Sequence, residues 1–141
     1  MQPEEFANKL VASMPDALVF SDEAGTIQIW NRGASRMFGF TAEEAIGQSL
    51  DLIIPPGLRE RHWHGFRATM QSGRTKYGER EVLAVPAIRK DGARISVEFT
   101  IVPFTDAAGR MTGMAAIMRD VTRTFDELRA LRKKAASSNT E

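Results

Sequence analysis

The sequence predicts an α+β domain in which helices cover one face of a five-stranded antiparallel sheet, with a further helix at each end. Two kinds of pattern lead to this prediction. Strand-like runs stand near both ends of the central region, and segments with apolar residues three or four positions apart lie between and outside them. The chain has 141 residues, of which 43% are hydrophobic and 26% charged, a size and balance typical of one globular domain.

The first part of the chain predicts a helix followed by a β-hairpin. The segment EEFANKLVASM places Phe6, Leu10 and Met14 four residues apart, which indicates an amphipathic helix that Pro15 ends. The runs DALVFSD and TIQIWN predict two strands, joined by a turn over residues 22–25.

The middle of the chain predicts three helical segments. The first two, GASRMFGF and TAEEAIG, are short. In the second, Thr41 and Glu44 form a capping box and Gly47 ends the helix. A longer helix over about residues 58–71 follows the apolar run SLDLIIPPG, and Gly73 closes it.

Three further strands are predicted in the runs EREVLAVPAI, ARISVEFTIVPF and MTGMAAIMRDV. The pair Asp91-Gly92 favours a tight hairpin between the first two. Pro86 and Pro103 each remove a backbone donor from the sheet, so we expect them at strand ends, bulges or edges.

The end of the chain predicts a helix with a short coiled-coil seam, frayed from Ser137 onward. Apolar and small residues recur there at alternating spacings of three and four. The seam consists of Val121, Thr124, Leu128, Leu131 and Ala135. These elements divide the chain into an N-terminal flanking helix over residues 1–14, a central domain over 15–122 and a C-terminal helix with a frayed tail over 123–141.

Composition excludes several kinds of chemistry. The chain has no cysteine, so disulfides, thiolate metal sites and a flavin–cysteine adduct are excluded. Its net charge of +1 does not favour nucleic acid or an anionic membrane as a partner. We find no secretory signal, membrane span or catalytic motif, and therefore expect a cytoplasmic domain that is not an enzyme.

Both histidines lie on the long predicted helix, two residues apart. His62 shares an apolar stripe with residues four positions away, whereas His64 lies about 200° from it around the helix. We therefore expect His62 to face the core and His64 the solvent. A buried imidazole needs partners for its ring nitrogens, which a bound group or a core hydrogen bond to a strand carbonyl or Asp51 would provide. The stripe consists of Leu58, His62, Phe66 and Met70.

Several stretches, in the same order along the chain, resemble the PAS domain family over about residues 14–122. They are DALVFSDEAGTIQIWNRGASRMFGFTAEEAIGQSLDLIIP, RKDGARISVEFTIVPF and MTGMAAIMRDVT. PAS domains are sensor and dimerisation modules. The resemblance therefore implies a sensory domain, and the apolar stripe of the first helix adds the expectation of a homodimer.

Within that family, IPPGLRERHWHGF resembles the haem-binding helix of oxygen sensors of the FixL type and their phosphodiesterase relatives. The haem-ligating histidine of those sensors falls on His62, and the arginine that precedes it on Arg59. Gly65 lies close to the face of His62, where a missing side chain would let a flat macrocycle approach; tolerance of an exposed glycine is the alternative. Trp63 is expected to pack against the neighbouring helix or a partner.

The gas-binding side departs from the pattern of these sensors. Their distal arginine falls on Leu83 and the distal methionine of the phosphodiesterase relatives falls on Glu81, while the apolar distal wall is kept at Phe99 and Ile101. We therefore expect a dry gas side without a hydrogen-bond donor. The cofactor-binding residues predicted in this way are His62, Gly65, Phe66, Leu83, Phe99 and Ile101, with His62 as the iron ligand.

The resemblance implies a domain that binds haem b, senses a diatomic gas (O2, CO or NO) and signals through its C-terminal helix to a kinase, cyclase or other output module. A PAS interaction module without haem is the alternative, which either only dimerises or holds a small organic ligand. Non-covalent flavin is a third hypothesis, but no feature of the chain favours binding of an isoalloxazine ring.

Overall fold

The structure, a computed structural model, describes residues 1–73 and 83–138, and of Leu83 the backbone only. Two 3₁₀ turns, Leu50–Ile53 and Pro56–Leu58, precede the long helix α4. The helices are α1 (Pro3–Ser13), α2 (Arg32–Phe38), α3 (Ala42–Ala45), α4 (Arg59–Ser72) and α5 (Thr122–Ser138). The strands are β1 (Ala17–Asp22), β2 (Ile27–Trp30), β3 (Leu83–Ile88), β4 (Arg94–Thr105) and β5 (Met111–Asp120).

The five strands form one antiparallel sheet in the order β2-β1-β5-β4-β3. Side chains on the inner face of the sheet, which the helices cover, are the more buried ones: in β1 they are Ala17, Val19 and Ser21. The predicted fold class is therefore confirmed. The last helix differs slightly from the prediction, because it continues to Ser138 instead of fraying from Ser137.

Pro86 and Pro103 both lie within strands of the sheet. Pro86 is in β3, an edge strand. Pro103 is in the half of β4 beyond the pair of Leu83 with Phe99, where the strands of the described ranges pair it with β5. A register shift follows it between Phe104 and Thr105. Edge positions and irregular strand ends are where a sheet tolerates proline.

Local capping determines where the helices α2 and α3 begin and where α4 ends. The Thr41 hydroxyl accepts from the Glu44 N–H and the Glu44 carboxylate accepts from the Thr41 N–H, which confirms the predicted capping box. Asn31 caps α2 by accepting from the Ala34 N–H at 2.9 Å. Gly73 ends α4 with a φ of 69°, a backbone conformation that glycine adopts at little cost.

The apolar interior has two parts. The larger surrounds Phe38, Ile27 and Val97 and joins α2 and α3 to the sheet. The smaller, which we call the α4 cluster, consists of Phe66, Met111 and Met114 with Leu50, Trp63, Met70 and Ile101 packed against them. The α4 cluster fixes the helix that carries His62 against β4 and β5.

The two flanking helices bury none of their residues in the domain. Phe6 is 56% exposed and Leu10 is 51% exposed, so the apolar stripe of α1 does not pack on its own sheet. On α5, Leu128 and Leu131 are likewise exposed. In the described part of the chain, no helix combines the length and apolar character that crossing a membrane requires.

Candidate functional site

His62 lies in the second turn of α4 with its imidazole turned inward. Its Nδ1 atom is enclosed and has no hydrogen-bond partner among residues 1–73 and 83–138. His64 is exposed, as the helical period predicts. The inward imidazole therefore has a buried polar atom for which the described part of the domain supplies no hydrogen-bond partner.

Aromatic rings surround the imidazole. The Trp63 ring lies 4.9 Å from it, centroid to centroid, and meets it edge-on at an interplanar angle of 73°. The Phe66 ring lies 6.1 Å away, and the Trp63 and Phe66 rings are 5.2 Å apart. His62 is thus held by the side chains that join α4 to the sheet.

Burial lowers the pKa of His62 below its ordinary value of 6.5, and the nearby Asp51 carboxylate opposes this shift. Burial is the larger of the two effects because a charged imidazolium loses its hydration in the domain interior. The neutral imidazole therefore prevails at pH 7. This is the form that binds a metal.

Asp51 does not satisfy His62, contrary to one expectation from the sequence. Its Oδ1 atom accepts instead from the indole Nε1 of Trp63 at 2.7 Å. Arg59 donates to the carbonyls of Ile54 at 3.1 Å and Asp51 at 3.3 Å. The alternative of a core hydrogen bond to Asp51 or to a strand carbonyl is therefore not met at His62 Nδ1 by the described residues.

Of the other predicted site residues, Phe66 is buried in the α4 cluster and Ile101 packs against that cluster. Phe99, two residues earlier on β4, packs against the larger part of the core and pairs with the Leu83 backbone. Gly65 is exposed, and a Cβ added to it would meet nothing within 4 Å. Open space therefore adjoins the helix at Gly65.

Glu81, on which the distal methionine of the phosphodiesterase relatives falls, lies outside the described residues. Within the described ranges, no group of three or more His, Asp or Glu side chains is placed to hold a metal ion. A metal bound there would have to bring most of its own ligands, as haem does with its four pyrrole nitrogens. A single inward imidazole on an apolar face fits that donor set.

Sequence reasoning missed two polar features near the site. The hydrogen bond between Trp63 and Asp51 joins residues twelve apart and has no signature in helical or strand periodicity. Ser21 is 2% exposed on the inner face of β1, paired with Met114 of the α4 cluster. Alternation along β1 from Ala17 and Val19 would have placed this hydroxyl inside.

Parts of the chain are similar to proteins named as sensors. Sensor protein FixL of Bradyrhizobium diazoefficiens is 36% identical over 59 residues, 42% of this chain and 12% of that protein. Oxygen sensor protein DosP of Escherichia coli is 28% identical over 83 residues, 59% of this chain and 10% of that protein. The chain spans 10% to 16% of the length of the curated relatives it matches.

Solved structures resemble the whole fold. A PAS domain from Colwellia psychrerythraea superposes with a TM-score of 0.75 at 25% identity, over 86% of this chain and 99% of that one. An RNA-binding Light-Oxygen-Voltage receptor also gives 0.75, at 18% identity over 97% of this chain and 38% of that one, a likeness of fold alone. A model of the PAS domain family matches residues 15–123. Because that match spans most of the sequence and the fold agrees with it, the chain belongs to the PAS domain family.

Proposed function

We propose that this sensory PAS domain binds haem b with His62 as the axial ligand of the iron, senses a diatomic gas and catalyses no reaction itself. The observation that carries the proposal is the inward-turned imidazole of His62 on the apolar face of α4, whose enclosed Nδ1 atom has no partner among the described residues. Burying a polar group without a partner is unfavourable, so native proteins rarely do it without a reason such as a bound group.

The comparisons support the proposal without testing it. The segment around His62 resembles the haem helix of FixL-type sensors, and relatives named Sensor protein FixL and Oxygen sensor protein DosP match part of the chain. Haem supplies the iron at which a gas molecule binds. The chain supplies the imidazole of His62 and an apolar wall from Phe99 and Ile101 that keeps water from the gas side.

The structure offers a route from the site to α5. The strand that carries Phe99 and Ile101 also holds the first turn of this helix: the Ser96 N–H donates to Thr122 Oγ at 2.9 Å, and the Ser96 carbonyl accepts from the Val121 N–H at 2.8 Å. A shift of β4 would therefore displace the start of α5. We propose that α5 passes this displacement to a kinase, cyclase or other output module.

The decisive experiment is a visible spectrum after haem reconstitution. We expect a Soret band that survives in His64→Ala and is lost in His62→Ala, because only His62 turns its ring inward. His64→Ala is a matched control, since it removes the same side chain two residues away. Equal loss in both variants, or haem retained without His62, would contradict the proposal, as would wild-type protein that stays colourless.

A PAS interaction module without haem is the second candidate, and a specific observation favours it. Large apolar side chains are exposed on both flanking helices and on the outer face of the sheet, the face turned away from α2–α4. Such surfaces often bind other proteins. This candidate predicts a colourless protein that dimerises or holds a small organic ligand. The exposed residues are Phe6, Leu10, Ile29, Val102, Phe104, Phe125, Leu128 and Leu131.

A further inference from the structure

The indole of Trp63 is held on three sides. Its Nε1 donates to Asp51 Oδ1 at 2.7 Å. Its six-membered ring lies directly over Gly25, where an added Cβ would stand 2.2 Å from the ring carbon Cη2. On the remaining side the indole contacts the rings of His62 and Phe66. The side chain is therefore wedged between the β1–β2 turn, the first 3₁₀ turn and the helix that carries His62.

Gly25 and Asp51 belong to one rigid support. Gly25 has a φ of 79° and is buried, and its carbonyl accepts from the Leu50 N–H at 3.0 Å. The Ser49 hydroxyl accepts from the Asp51 N–H, which fixes the backbone from which the Asp51 side chain extends. The turn and the 3₁₀ segment are thus tied together behind the indole. Any larger residue at position 25 would displace the ring.

We propose that Trp63, clamped by Asp51, is the positioning residue that holds the His62 imidazole in the orientation in which it binds iron. The edge-on contact of the two rings carries the argument, because an indole fixed at its Nε1 and against Gly25 limits how far the imidazole can turn toward it. The inference rests on the proposed haem site for its function. The contacts of Trp63 with Asp51, Gly25 and His62 exist without haem and can be tested without it.

The first arm of the test uses ligand-free protein and nuclear magnetic resonance. The chain has two histidines, so exposed His64 is an internal reference for the ring signals of His62, which the Trp63 and Phe66 ring currents displace. Asp51→Ala removes the acceptor and should move the His62 signals toward those of His64. Asp51→Asn keeps an acceptor oxygen and should leave them in place. Asp91→Ala, the same change in an exposed turn, is the matched control.

The second arm measures haem affinity in the same variants. Removing a group that orients a metal-binding histidine typically weakens metal binding about 10- to 100-fold. We expect a loss of that size for Asp51→Ala and for Trp63→Phe, which keeps a ring but loses the donor, and little change for Asp51→Asn. The double variant should be no worse than the weaker-binding single one, because both changes break one interaction.

The outcomes separate the two proposals. If wild-type protein binds no haem while Asp51→Ala still shifts the His62 signals, the haem site and its iron-binding role are refuted, whereas the orientation of His62 by the clamped Trp63 stands. If the His62 signals are unchanged in Asp51→Ala, the positioning role is overturned whether or not haem binds. Loss of affinity in Asp51→Asn equal to that in Asp51→Ala would overturn the role too, since the carboxylate charge would then be responsible. Trp63→Phe serves as the second variant if Asp51→Ala does not fold.

Discussion

At the residue scale, His62 lowers the stability of the ligand-free domain. A buried polar group left without a partner costs a protein about 1–3 kcal/mol, and Nδ1 of His62 is such a group among the described residues. An apolar side chain of similar size would not carry this cost. A histidine at position 62 therefore makes the ligand-free domain less stable than an apolar residue would, and such losses are common at binding sites.

The lowered pKa of His62 predicts how ligand-free stability depends on pH. Between the ordinary pKa of 6.5 and the lower pKa of the folded state, the unfolded chain binds a proton that the folded domain does not. The part of the unfolding free energy that depends on the protonation of His62 is therefore complete above about pH 6.5. It is lost as the pH falls toward the folded-state pKa. Denaturant unfolding at pH 7.5 and 5.5 should show a smaller acid loss in His62→Leu than in wild type.

The matched variant His64→Leu changes the exposed histidine and should keep the pH profile of the wild type. A His62→Leu profile parallel to that of the wild type would show that His62 is not the residue responsible.

Substitutions of Gly65 are predicted to have opposite effects on the stability of the ligand-free protein and on its affinity for haem. Replacing glycine by alanine inside a helix gains up to about 1 kcal/mol, and an added Cβ at Gly65 meets no other atom within 4 Å. Gly65→Ala should therefore raise the unfolding free energy of ligand-free protein. If a macrocycle lies against this glycine, Gly65→Leu should reduce haem affinity at least about ten-fold, roughly 1.4 kcal/mol.

Ala68→Leu makes a similar enlargement at an exposed position three residues along α4 and should leave haem affinity as it is. Equal affinities in Gly65→Leu and Ala68→Leu would mean that Gly65 is only a tolerated exposed glycine.

At the element scale, α1 is tied to the domain at one end only. Asn31 Nδ2 donates to the Val11 carbonyl at 2.9 Å and to the Asp16 carbonyl at 3.0 Å, while its Oδ1 accepts from the Leu18 N–H at 2.8 Å. The rest of α1 keeps its apolar stripe in solvent. A helix of about 12 residues is marginal without such packing, so this stripe needs a partner surface.

We predict that α1 forms the contact of a homodimer. Phe6→Ser combined with Leu10→Ser should shift the mass measured by light scattering from dimer to monomer. Glu4→Ser combined with Lys9→Ser, exposed changes on the same helix, should not. The pair is a sharper test than deleting residues 1–14, which would also remove the Val11 carbonyl that satisfies Asn31. A dimer that survives Phe6→Ser with Leu10→Ser would place the interface elsewhere.

The elements that depend on neighbours in sequence could be predicted. The capping box of Thr41 and Glu44, the glycine end of α4 and the opposite orientations of His62 and His64 all follow from spacings of two to four residues or from one residue type. Helical spacing likewise placed Phe66 on the stripe of His62 and Gly65 close to its face, whereas Leu83, Phe99 and Ile101 came from the resemblance.

Contacts between distant residues could not be predicted in this way. The Asn31 side chain caps α2, and its three other side-chain hydrogen bonds join it to residues 13 to 20 positions away. The Trp63–Asp51 bond likewise depends on how the 3₁₀ turns fold back beside α4. Pairings of this kind follow from the three-dimensional path of the chain, which periodicity does not describe.

At the scale of the whole molecule, the proposed site would lie between two layers, with His62 on the helical layer and the expected gas side on the sheet. The sheet residues predicted to line it, Phe99 and Ile101, have no hydrogen-bond donors in their side chains, and neither does Leu83. Flexible methionines at 70, 111 and 114 fill the α4 cluster between the layers and can rearrange around a bound group.

This arrangement predicts weak oxygen binding and a preference for carbon monoxide or nitric oxide. Bound oxygen gains from a distal hydrogen bond, which contributes about 0.5–1.5 kcal/mol when neutral and about 1.5–3 when charge-assisted. Leu83→Arg should therefore raise oxygen affinity about ten- to hundred-fold, with a smaller effect on carbon monoxide. Equilibrium titration of reduced protein with each gas measures both.

Tight oxygen binding by the unmutated domain would contradict this prediction and point to another donor. Ser21 is the residue to examine first, because its side chain is buried on the inner face opposite Met114. Ser21→Ala would then lower oxygen affinity and leave that of carbon monoxide nearly unchanged.

The pairing of Ala17 with Met118 has a mechanical consequence. The two flanking helices leave the sheet at adjacent positions on neighbouring antiparallel strands, close to the Asp16–Arg119 ion pair. Tension applied between these helices would act along the β1–β5 hydrogen bonds and load them one after another. Peeling strands apart in this way takes less force than sliding them past each other, where all the bonds share the load. A pull transmitted through α1 and α5 would therefore open the domain first at this corner.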